Sequence, residues 1–245
     1  MDASGPKPRT HVFGFMDETG LLHNTKTDRI FALGLLMSQN TRELHRNIIN
    51  LKNRRGYHRE FKFTDISDKN QQVYIDLIDV FFDCTNNRFH CLVVDKDLYQ
   101  VVKNEKNHTA YNKLAARLIA GSIDYKQSRS SEYVTVLADD VSTSKDDKFE
   151  KIIREAIKKK QRRNALFGIA RLESHAVSEI QLTDVLLGLV AYSFKIRLGA
   201  VSGSGAKLRL LKHLQKKLQV QELSHEQAIK LARGEVFQVI EHNKK

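Results

Sequence analysis

A chain of 245 residues, 41% of them hydrophobic, is long enough to bury one sizeable core. No apolar run approaches the roughly 20 residues of a membrane-spanning helix, and the opening MDASGPKPRT lacks the apolar core of a signal peptide. Cys84 and Cys91 have no C-x-x-C spacing, which argues against a disulfide framework or zinc knuckle and for a cytoplasmic setting, while the net charge of +12 favours a polyanionic partner such as nucleic acid.

Residues 1–10 hold both prolines of the chain, Pro6 and Pro8, and read as a flexible leader. His11 to Asp17 reads as a strand, because Val12, Phe13, Phe15 and Met16 form a nearly continuous apolar run. The Asp17-Glu18-Thr19-Gly20 segment reads as a turn, and Ile30 to Met37 as a second strand returning antiparallel to the first. Thr41 is positioned to cap a helix running to about Lys52. A basic loop then leads into Glu60-Phe61-Lys62-Phe63, which has a strand-like pattern. Ser67 opens a further predicted helix, followed by a strand at Phe89 to Asp95.

Beyond that point helices at 108–126, 145–160 and 178–197 alternate with strands at 133–138 and 166–172. Such alternation predicts an α/β fold, a mixed sheet with helices on its faces. After Gly199 comes a Gly/Ser-rich break and an amphipathic helix, Lys207 to Leu218, which reads as packing on the domain with a solvated cationic face or as a contact for nucleic-acid backbone, so residues 199–245 are expected to form a basic helical extension packed on or near a domain spanning 11–198. The phrase from Gly203 to Lys207 lacks the G-x-x-x-x-G-K-[ST] spacing of a phosphate loop and follows no strand.

In an open α/β sheet, sites form at strand ends, where side chains converge on a rigid backbone. Asp17 closes the first strand, Glu60 stands before Lys62, and Asp139 and Asp140 follow the run Val134 to Ala138. Asp184 is set in a helix that is apolar on most sides, so its carboxylate needs a compensating partner. Gln181 shares its face, and Ser178 is placed to cap the helix. Hard oxygen donors from several elements are what Mg²⁺ or Mn²⁺ requires, and two such ions can serve an in-line phosphoryl displacement. Lys62 is placed to neutralise a phosphate or orient Glu60, and His58 and His175 lie near these acids in sequence. The clusters Lys158 to Arg163 and Lys52 to Arg55 are solvated helix ends unless both flank the cleft. There is no H-E-x-x-H and no G-x-S-x-G, so zinc protease and serine hydrolase lack their minimal parts.

The M-D-E-T-G at 16–20, the E-F-K-F at 60–63, the strand closing in Asp139-Asp140 and the stretch from Glu173 to Tyr192, with its Q-L-T-D, together resemble the domain of unknown function 3800 family. The resemblance runs in order to about residue 197, with Thr19 where the motif more usually has Ser. It implies a ribonuclease H-like fold, a mixed sheet flanked by helices, with Asp17, Glu60, Asp139 and Asp184 around a metal centre and nuclease-like activity. Of the adjacent pair, alternation lets only one reach the cluster, and Asp139 is preferred; Glu18 is expected to face outward from Asp17, with a helper role left open. The resulting expectation is a nuclease using Mg²⁺ or Mn²⁺, with Asp17, Glu60, Asp139, Asp184 and Lys62 as its catalytic set. The rivals are a nucleic-acid-binding module without catalysis and a phosphohydrolase of nucleotides.

Overall fold

A computed structural model describes residues 10–22, 28–99, 107–123, 132–139, 148–161, 164–203 and 205–242. Strand β1 (Thr10–Thr19) pairs antiparallel with β2 (Ile30–Ser38), as the two apolar runs predict. It outruns the expected turn because Glu18 and Thr19 still pair with Leu33 and Ala32. It also takes in Thr10, assigned above to the leader; residues 1–9 lie outside the described residues. Helix α1 (Thr41–Arg55) is capped by Asn40, whose side chain accepts from the Glu43 N–H, rather than by Thr41. Gly56, in the left-handed region, ends it.

The segment at 60–63 is not a strand. Lys62 is extended, but Glu60 and Phe61 are loop residues, and a single 3-10 turn, Phe63–Asp65, begins directly after it. Ser67 does not open α2 (Gln71–Asp83); its N–H and hydroxyl both donate to Asn70 Oδ1 in the preceding turn. The remaining elements are β3 (Arg88–Asp95), α3 (Asn107–Ile123), β4 (Glu132–Asp139), α4 (Phe149–Gln161), β5 (Leu166–Leu172), α5 (Ser178–Arg197), α6 (Gly205–Leu218), β6 (Gln227–Lys230) and β7 (Val236–Glu241).

The sheet is mixed, in the order β5-β4-β1-β2-β3-β7-β6, with β4 and β5 parallel to β1 and β7 parallel to β3. The expected basic helical extension is therefore not supported. Val236, Phe237 and Val239 are buried in strands that complete the sheet, and α6 buries Leu210, Leu211 and Leu214 in the main core. The described residues after 199 belong to the same body.

Side chains alternate across β2, sending Ile30, Ala32 and Leu36 to one core and Phe31, Leu33, Leu35 and Met37 to another. The first core lies under α1, α2, α5 and α6, the second under α3 and α4, which makes three layers. α5 lies against β1 and β2 with nearly all of Ser178 to Phe194 buried, and each fully buried Leu there contributes about 1.5–3 kcal/mol. Among the described residues no helix is long and apolar enough to cross a membrane.

Candidate active site

Because β1 and β4 are parallel neighbours, their C-terminal ends lie side by side, with Met16 opposite Ala138. The next residues, Asp17 and Asp139, share the sheet face of Phe15 and Leu137, the face that α5 covers. α5 comes close because Gly34, opposite Asp17, has no side chain; a Cβ there would lie 3.1 Å from Leu187 Cβ. Asp184 is thereby brought to the strand ends.

The segment carrying Glu60 and Lys62 is fastened to α5 at two points. The Phe63 ring occupies the space over Gly188, where an added Cβ would stand 2.2 Å from the ring, and the Phe63 N–H donates to Asp184 Oδ2 at 2.8 Å. Gln181 is the second fastening. Its carbonyl oxygen accepts from the Phe61 N–H at 3.1 Å and from Lys52 Nζ at 3.0 Å, and its amide donates to the Ser174 and His175 carbonyls. Ser174 then donates its hydroxyl to Glu60 Oε1 at 3.0 Å, while Lys62 pairs with Glu60 Oε2 at 3.1 Å.

These groups enclose a cleft of about 280 Å³, lined by Asp17, Glu18, Glu60, Lys62, Asp139 and Asp184 together with Thr19, Thr64, Ser174 and Gln181. Burial, then the charge of Asp184 and of Glu18, push the Asp17 carboxyl well above the ordinary aspartate range, against the lowering effect of the Glu18 N–H, which donates to Asp17 Oδ1 at 2.8 Å. Burial also raises Asp184 to about 6, although the Phe63 N–H and Lys62 pull it down. The cleft holds more negative charge than its cations balance.

All five acids and bases expected from the sequence, Asp17, Glu60, Lys62, Asp139 and Asp184, line this cleft. Asp140 lies outside the described residues. Glu18 does not face outward. It lies on the α3 side of the sheet, where its carboxylate accepts from the Tyr111 hydroxyl at 3.1 Å, and burial raises it to about 7. The periodicity of β1 alone gave no sign of this, because it depends on a helix about ninety residues further along the chain. His58 and His175 are exposed and line no part of the cleft; His175 pairs with Glu173 at 3.3 Å. Ser178 makes no cap bond, and Val177 occupies the cap position of α5. Of the two basic clusters, Lys52 reaches the cleft border through Gln181, whereas Lys158 to Lys160 end α4 on the opposite face; Arg162 and Arg163 lie outside the described residues.

The donor set is one of hard oxygens, which suits Mg²⁺ or Mn²⁺ in chemistry, and a cation would relieve its excess charge. Its spacing is open: among the described residues, no three His, Cys, Asp or Glu side chains are so grouped that they could hold a metal ion. Compared with known proteins, the chain matches no family model and no curated sequence.

Proposed function

We propose that the protein is a divalent-metal-dependent nuclease of ribonuclease H-like architecture. The observation that carries this reading is the convergence of carboxylates from β1, the 60s loop, β4 and α5 on one cleft where burial and mutual repulsion leave Asp17 and Asp184 poorly compensated. A mixed sheet flanked by helices, with the acids at strand ends, is the setting such a site requires. Asp17, Asp139, Asp184 and Glu60 would hold Mg²⁺ or Mn²⁺, which when bound polarises a phosphate oxygen and acidifies a water.

The protein's own groups hold that arrangement in place. The Phe63 N–H orients Asp184, and Ser174 and Lys62 fix the two oxygens of Glu60. Half-exposed Lys62 is positioned to meet substrate phosphate. Hydrolysis joins a water oxygen to phosphorus and breaks the bond to a sugar oxygen, which leaves with a proton. The open spacing of the acids favours a second reading, a nucleic-acid-binding module without catalysis.

Cleavage of labelled single- and double-stranded DNA and RNA with Mg²⁺, Mn²⁺ or EDTA separates the two. The nuclease reading expects metal-dependent cutting that folded Asp17→Asn and Asp184→Asn lose. Salt-sensitive binding without cutting under either metal would establish the module instead.

A further inference from the structure

Lys207, in the first turn of α6, stands beside the cleft without lining it. Its ammonium lies 4.6 Å from the centroid of the Phe63 ring, and Phe63 is the residue whose N–H holds Asp184. The ring cannot shift toward α5, since it already fills the space over Gly188. Lys207 is half-buried, and burial and the charge of Lys195 both lower its pKa, while Asp184 and Asp65 act the other way.

Three other ammonium groups have oxygen partners: Asp28 for Lys195 at 2.6 Å, Glu60 for Lys62 at 3.1 Å and Gln181 for Lys52 at 3.0 Å. Among the described residues Lys207 has none and rests on the ring. An ammonium partly withdrawn from water, close to a like charge and with no acceptor among the described residues, is a position made for an incoming anion.

We propose that Lys207 grips the substrate phosphate next to the one being cleaved, so that the site takes a polynucleotide strand rather than a nucleotide or small phosphate ester. This rests on the nuclease reading of the cleft and assigns its substrate class. The acids and their cation would take the scissile phosphate, and Lys207, one aromatic ring away from Asp184, would take its neighbour. Lys207 is a positioning residue, since it touches no reacting atom.

The test compares wild type with Lys207→Met, Lys207→Arg and, as a control for lost charge, Lys212→Ala at an exposed position of the same helix. Each is assayed with Mn²⁺ on a short labelled oligonucleotide and on bis(p-nitrophenyl) phosphate, a diester with no neighbouring phosphate. Lys207→Met is expected to raise KM for the oligonucleotide about tenfold. It should also lower the slope of log affinity against log salt by about 0.7–0.9 and leave turnover of the small diester unchanged, with Lys207→Arg restoring most of the loss. Equal losses on both substrates, or a salt slope no different from that of Lys212→Ala, would overturn the proposal. If wild type turns over the small diester but no oligonucleotide, metal-dependent diester hydrolysis stands but the nuclease reading and the assignment of Lys207 both fail. If it turns over neither, the nuclease reading fails and takes this one with it.

Discussion

Asp17, two residues before the end of β1, and Asp95, the last residue of β3, lie on parallel-running strands of one sheet and are almost equally buried, at 7% and 4% exposure. Burial raises both carboxyls. At Asp95 the Arg29 guanidinium donates to both oxygens, at 2.7 and 2.6 Å, and holds the pKa below its ordinary value. At Asp17 the nearest charges are other carboxylates, and the pKa goes the other way. The fold can supply a fork of donors to a buried aspartate at a strand end, and it does so where the residue is structural. Asp17 and Asp184 have no such fork, and the proposed metal site rests on that difference.

The largest effect that sharpens this contrast is on catalysis. Asp17→Asn and Asp184→Asn should each lower kcat/KM for the cleaved nucleic acid on the order of 10³-fold without unfolding the protein. Asp95→Asn should leave kcat/KM within about twofold and instead cost about 1–3 kcal/mol of stability, read by chemical denaturation, because it weakens a charge-assisted pair. Loss of activity in Asp95→Asn equal to that in Asp17→Asn would break the comparison.

The next effect is on the pH dependence of stability without divalent ions. The folded protein binds the Asp184 proton more tightly than the unfolded chain between the ordinary 3.8 and about 6. The stability contributed by Asp184 is thus full below pH 3.8 and lost as pH rises through about 6. Asp95 has the opposite sign: its contribution is present above its ordinary value and lost as pH falls through its lowered one. Asp184→Asn should therefore stabilise the protein above pH 6, by at most about 3 kcal/mol, and gain nothing below pH 4, as followed by Tm across pH. An unchanged Tm difference across that range would show that Asp184 is compensated after all.

Smaller effects come from the fastenings. Gly188→Ala would drive a methyl into the Phe63 ring, costing about 1–3 kcal/mol and lowering activity by displacing the N–H that orients Asp184; retained activity would show that this contact is dispensable. Lys62→Ala should change stability by less than about 1 kcal/mol, since its pair with Glu60 is half-exposed, while raising KM for nucleic acid.

Most of the sheet was legible because its strands are long apolar runs, and α5 was legible to the residue because a polar segment precedes its long apolar stretch. The candidate acids were legible for the same reason, being charged residues that close or interrupt such runs. Strands β6 and β7 were not: they are four and six residues long, partly exposed, and follow a helix whose strong period dominates the tail. The segment at 60–63 has a strand's alternation, yet its backbone donors are taken by side chains of α2 and α5, through Tyr74, Gln181 and Asp184. The burial of Glu18 and the seat of Lys207 on the Phe63 ring depend on contacts between distant segments, which no local pattern encodes.

The most direct test is Mn²⁺ binding, measured by calorimetric titration of the folded wild type, Asp17→Asn, Asp184→Asn and Asp95→Asn. A metal centre at the cleft requires wild type and Asp95→Asn to bind alike and the two cleft variants to lose binding. Absence of binding in wild type, or equal binding in Asp17→Asn, would contradict it.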